Sequence, residues 1–169
     1  MTWIDDAREL IERHEGRRAA MYHDDLGIPT IGVGFNLNRT DARVQLCAVG
    51  ADYEQVITLG ASLTDAEIDA LLSRDVGSAV NDLSIVLPSF GTLPDQVKVA
   101  LTDMRFNLGP ARFRGFAHMI AFVRQLSFRA ASEEMLASVW AKQVPARAQA
   151  DAQLVRSASL MDDEPTPVT

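Results

Sequence analysis

The sequence predicts an α+β protein, mostly helical, with one small antiparallel β-hairpin sheet and a long helix available to join two lobes. Three observations carry that expectation. Apolar residues recur at helical spacing through most of the 169 residues. The period becomes β-like only between Ala20 and Asn38. Thr64-Asp65-Ala66-Glu67 has the pattern of a capping box and opens a long apolar stripe.

Taken in order, Ile4, Ala7, Ile11 and His14 give an amphipathic helix over about 3–14, stopping at Glu15-Gly16, because glycine readily takes the left-handed backbone that ends a helix. Ala20-Met21-Tyr22-His23 and Thr30 to Phe35 read as two strands around the turn Asp24-Asp25-Leu26-Gly27. Residues 38–62 show little beyond their length. Ile68, Leu71, Leu72, Val76, Ala79, Val80 and Leu83 continue the stripe after the capping box, predicting a helix over about 65–86. After Pro88 and Pro94, Val97, Ala100, Leu101 and Met104 predict a helix ending near Gly109-Pro110. Further helices are expected over about 113–125, 132–141 and 146–157, the last with Pro145 near its start, where a missing N–H costs nothing.

This organisation is one domain over 1–161. A lobe with the sheet spans about 15–63, the joining helix 65–86, and a helical lobe 87–157 packs with helix 3–14; residues 162–169 are expected to be a disordered tail. Composition agrees with a globular chain: 47% hydrophobic residues, 23% charged residues and a net charge of −7. Charge is uneven, acidic over 1–104 and basic over 105–156, so the basic part is the one suited to meet a polyanion.

A single cysteine, Cys47, excludes an internal disulfide and a paired-thiolate zinc site, and His14, His23 and His118 are too scattered for a ligand set. No metal is expected. The first residues have neither the basic start nor the apolar run of a secretory signal, which predicts synthesis and retention in the cytoplasm.

Glu15 closes the first helix, Asp24 starts the turn and Thr30 opens the next strand. Two carboxylates and a hydroxyl around one junction suit glycosidic-bond hydrolysis, which needs an acid for the leaving oxygen and a carboxylate for a water or a developing cation. The alternative at this point is an Asp that braces its own turn.

The surrounding string specifies more. Glu15-Gly16, Tyr22-x-Asp24 and Gly27-x-x-Thr30-Ile31-Gly32-x-Gly34 resemble the active-site signature of the bacteriophage-type lysozymes, glycoside hydrolase family 24. Residues 64–83 resemble that family's interlobe helix, Phe106-Asn107-Leu108-Gly109 with Gly115-Phe116 its cleft-side helix and turn, and Trp140-x-x-Gln143-x-Pro145-x-Arg147 its C-terminal motif.

The resemblance implies a lysozyme-like two-lobe fold and a muramidase cutting the β-1,4 bond between N-acetylmuramic acid and N-acetylglucosamine in peptidoglycan, as a phage or prophage endolysin. It casts Glu15 as the general acid, Asp24 as the carboxylate that holds the water or stabilises charge at the sugar carbon, and Thr30 as its hydroxyl partner. Arg147 resembles a cleft-side arginine that positions the acid, and Gly34, Asn36, Phe106 and Asn107 are candidates for substrate contact, although Phe106 and Trp140 also suit a core. The family is regarded as inverting.

It further implies no cofactor, no nucleic acid, a monomer, and a holin to open the membrane so that the enzyme reaches the wall in the periplasm. The chain departs from the family in carrying Phe35 where many members have a histidine that pairs with an acid of the long helix, although that acid, Asp75, is present. It is also acidic where many such enzymes are basic. A binding scaffold that has kept the fold, or a lytic transglycosylase acting on the same bond with one carboxyl group, are the alternatives.

Overall fold

The computed structural model describes residues 2–159, so the expected tail over 162–169 lies outside the described residues. They form α1 (Trp3–Glu15), β1 (Arg18–His23), β2 (Pro29–Gly32), β3 (Phe35–Asn36), α2 (Ala42–Ala48), α3 (Tyr53–Leu59), α4 (Asp65–Val86), α5 (Asp95–Arg114), α6 (Ala117–Arg124), α7 (Phe128–Leu136), α8 (Val139–Gln143) and α9 (Pro145–Ala158), with a short 3₁₀ turn at Phe90–Thr92. Two compact units result, one from the residues up to Leu10 together with those from Ser78 onward, the other from Ile11–Gly77. Both α1 and α4 contribute residues to each unit. None of the described helices is long and apolar enough to cross a membrane.

In the unit Ile11–Gly77 the sheet has three antiparallel strands in the order β1-β2-β3. The expected strand from Thr30 to Phe35 is two strands, because Gly32 and Gly34 take left-handed φ values of 65° and 66° and fold the chain back so that Ile31 pairs with Phe35. Ile31, Val33, Phe35, Leu37, Leu46, Val56, Ile68 and Leu72 are buried in this unit. The capping box forms as expected: Thr64 N donates to Glu67 Oε2 at 2.7 Å and Glu67 N to Thr64 Oγ1 at 3.2 Å. Residues 38–62, unassigned from sequence, build two seven-residue helices. Of these, α3 is capped by Asp52, whose side chain accepts from Gln55 N, and by left-handed Gly60.

Departures from the family pattern at Phe35 are made good here. Arg39 donates from Nη1 to Asp75 at 2.7 Å, grips Asp41 through Nε and Nη2 at 3.0 Å, and lies over the Phe35 ring at 4.8 Å. An arginine three residues past the sheet thus supplies the charge that a histidine at position 35 would bring to Asp75. Arg39's hydrogen bonds hold the Asp41 carboxyl below its usual range.

The other unit is built around α5, whose residues Val97–Met104 are all buried. Leu101, Met104, Phe113, Met119, Val123, Phe128, Met135, Trp140, Ala148 and Val155 form one continuous apolar cluster. Three expected boundaries change. The helix expected to end at Gly109-Pro110 breaks there, with Gly109 at φ 74°, and then continues to Arg114, since proline suits a first helical turn. The helix expected from 113 begins only at Ala117, beyond the turn at Gly115-Phe116. The one expected over 132–141 is two, α7 and α8, because Ser138 takes an extended backbone and caps α8 by accepting from Ala141 N at 3.1 Å.

Candidate active site

Glu15 is the last residue of α1, half-buried, and its carboxyl group lies against the backbone of Gly34. A Cβ at position 34 would stand 2.9 Å from Glu15 Oε2 and 3.1 Å from its Cδ. Gly34 is therefore required twice, for its left-handed φ and for the space the acid occupies. The chain reaches this geometry because α1 stops at left-handed Gly16 and the β2–β3 turn brings Gly34 back beside the helix end.

Asp24 sits in the β1–β2 turn. Its Oδ1 accepts from Leu26 N at 2.9 Å and from Ile28 N at 2.8 Å, while Asp24 N donates to Ile28 O at 3.0 Å. Bracing the turn and doing chemistry are thus not exclusive: two backbone donors fix one oxygen, and Oδ2 is left without a hydrogen bond among the described residues. Thr30 is buried and donates from Oγ1 to Ile28 O at 3.0 Å, so its hydroxyl proton is spent and its lone pairs can accept. Ile28 ties the two together through its N–H and its carbonyl.

The sheet register lines up the rest. Tyr22 pairs with Thr30, and Thr30 with Asn36, so the three share one face across the three strands. Asn36 Oδ1 accepts from Asn38 N at 2.7 Å. Tyr22 was not singled out from sequence, although the Tyr-x-Asp pattern was the signal for it. Burial, and then the negative charges of Glu15 and Asp24, raise its phenol above the usual range, with Arg18 opposing them. The phenol stays protonated and able to donate, and both carboxylates are near enough for it to sense. Arg18 lies over its ring at 4.4 Å.

The remaining candidates belong to the helical unit. Asn107 Oδ1 accepts from Trp140 Nε1 at 2.8 Å, and Trp140, buried, meets Phe116 edge to face at 6.3 Å. Phe106 is half-buried. Arg147 is buried, with Nε and Nη2 each 2.8 Å from the two oxygens of Asp103, a bidentate pair. Asp151 is the feature sequence reasoning missed. It is fully buried, and among the described residues no donor reaches either of its oxygens. Burial, and then the charge and hydrogen bond of Asp103, raise its carboxyl well above the usual range against the pull of Arg147. The protonated form that this shift favours can donate to Asp103. Among the described residues no three His, Cys, Asp or Glu side chains come together as metal ligands.

A mostly helical fold with a three-stranded sheet, and two carboxylates beside a shared phenol, hydroxyl and glycine turn, defines a class of glycoside-cleaving enzyme. The family model described as phage lysozyme matches residues 12–157. The chain belongs to the phage lysozyme family, whose members are lysozyme-type peptidoglycan hydrolases. It is 22% identical over 152 residues to "Probable T4-type lysozyme 2" of Dictyostelium discoideum, covering 85% of this chain and 89% of that protein. It is 21% identical over 166 residues to "Probable T4-type lysozyme 1" of the same organism, covering 93% and 97%. A third relative, "Pre-baseplate central spike protein Gp5" of Enterobacteria phage T4, is 25% identical over 159 residues, which span 90% of this chain and 28% of that protein.

Proposed function

We propose that the chain is a muramidase, hydrolysing the β-1,4 bond between N-acetylmuramic acid and N-acetylglucosamine, with Glu15 as general acid and Asp24 and Thr30 handling the water. The observation that carries this reading is the division of labour at Asp24: Oδ1 is anchored by two backbone N–H groups and Oδ2 is left to act. A water that donates one proton towards Asp24 Oδ2 and the other to Thr30 Oγ1 keeps a lone pair for the sugar carbon. Glu15 gives its proton to the leaving oxygen, and Asp24 takes one from the water. Tyr22 and Asn36, on the same face as Thr30, are placed to hydrogen-bond sugar substituents, and Gly34 keeps that approach low.

In the same reading the enzyme needs no cofactor, works as a monomer and serves as a phage or prophage endolysin. It is made in the host cytoplasm and reaches the wall after a holin opens the membrane. A second deployment, as a lysozyme carried on a larger phage assembly, is favoured by the likeness to a baseplate spike protein and uses the same chemistry.

The test is clearing of purified peptidoglycan by wild type and by Glu15→Gln, Asp24→Asn and Thr30→Ala, with mass spectrometry of the fragments. The expected outcome is clearing by wild type with reducing-end products, and losses of at least 10²-fold for Glu15→Gln and Asp24→Asn. Anhydro-ended products with Asp24 dispensable would move the assignment to a lytic transglycosylase. Binding without clearing by wild type would leave a scaffold.

A further inference from the structure

Within Ile11–Gly77 the arginines next to acidic side chains are already engaged. Arg17 donates to Asp65 at 3.2 Å, Glu12 at 3.2 Å and Asp69 at 2.9 Å; Arg39 holds Asp41 and Asp75; Arg43 pairs with Glu54. Arg18, one residue along from Arg17, differs. It is exposed, no carboxylate among the described residues pairs with it, and its one described contact is the Tyr22 ring.

A guanidinium lying on an aromatic face keeps its N–H edge free for a planar anion. Through its contact with Tyr22, Arg18 borders the face carrying Tyr22, Thr30 and Asn36, where Tyr22 also senses the charges of Glu15 and Asp24. Two carboxylates in one site repel a substrate that itself bears carboxylates. A compensating cation on the rim removes that repulsion and converts it into selection.

We propose that Arg18 is a specificity residue that binds a carboxylate of the glycan substrate, on a lactyl group or on the peptide attached to it; this rests on the muramidase reading above. Its fork takes the anion in the plane of the guanidinium while Tyr22 fixes that plane, so charge alone does not replace it.

The test compares wild type, Arg18→Gln and Arg18→Lys on peptidoglycan with its carboxylates free and on the same material with them converted to amides by carbodiimide and ammonium. Expected is a rise in KM of about three- to tenfold for Arg18→Gln on the free-acid wall, with kcat kept and little change on the amidated wall. Arg18→Lys recovers only part of the loss. In parallel, co-sedimentation of Glu15→Gln and of Glu15→Gln/Arg18→Gln with both walls reads binding without cleavage, and the second variant is expected to bind the free-acid wall more weakly.

Equal losses on both walls, a shift in the pH profile alike on both, or no loss on either would overturn the proposal. Wild type that binds but does not cut would sink the muramidase reading, and the sedimentation pair would still decide Arg18.

Discussion

In the unit Ile11–Gly77 the ion pairs stand at junctions between elements and within reach of water: Arg17 between the end of α1 and the start of α4, Arg39 between the sheet and α4. In the helical unit the central cluster of Asp103, Arg147 and Asp151 is sealed among apolar side chains. The first arrangement keeps its charges in partial contact with water and so costs less desolvation than a sealed one. The second places Arg147 against two acids, and the cost of burying them raises the proton affinity of Asp151. Apolar contact carries the helical unit, and shape and charge at its turns carry the other.

Four variants and one control break or sharpen that contrast. The largest effect on stability is expected from Leu101→Ala in the fully buried middle of α5, about 2–5 kcal/mol by denaturant unfolding, from lost transfer energy and the cavity left behind.

Gly34→Ala comes next. A left-handed φ and the collision with Glu15 predict about 1–2 kcal/mol of destabilisation together with a loss of kcat/KM of at least tenfold. Gly60→Ala is its control, because Gly60 has a similar φ of 68° but open space around it: stability should fall and cleavage persist. Equal cleavage by both variants would remove Gly34 from the site.

Asp151→Asn is expected to gain stability, and only on one side of a pH limit. The folded state keeps a proton that an unfolded carboxyl loses near pH 4, so folding binds protons above that pH and wild-type stability falls as pH rises. Thermal midpoints of wild type and variant should agree near pH 3.5 and separate as pH rises above the unfolded carboxyl range, with the variant higher. A constant difference across pH would mean that Asp151 is ionised in the fold.

The smallest effect is expected for Arg39→Ala, about 1 kcal/mol, because the pairs it breaks are partly exposed; the loss should shrink in high salt and in acid, where the lowered Asp41 carboxyl takes up its proton.

What was legible in the sequence follows from how local each signal is. The helix from Asp65 to Val86 was readable to the residue, since its capping box and apolar stripe lie in the element itself. The helices at Ala42–Ala48 and Tyr53–Leu59 were not, because seven residues give barely two turns of periodicity; Asp52 and Gly60 were the available clues. The split at Gly32-Val33-Gly34 was hidden by an apolar run that reads as one strand, although its two glycines mark the bend.

At the site, Glu15, Asp24 and Thr30 fell within sixteen residues and could be recognised together. Asp103, Arg147 and Asp151 meet across 44 residues and more, so only packing reveals the raised proton affinity of Asp151.

The first turns of α1 complete the helical unit: Trp3 meets Phe90 edge to face at 5.8 Å, and Ala7 and Leu10 cluster with Val99, with Leu154 alongside. The opening turns of α1 thus wait for partners more than eighty residues further along the chain, whereas Ile11–Gly77 is contiguous and has its sheet partners at hand. Vectorial synthesis favours a chain whose acid-bearing sheet gathers early and whose helical core closes late. Until Phe90 and α5 arrive, the apolar face of α1's opening turns stays uncovered, and that interval is when chaperones and aggregation compete for the nascent chain.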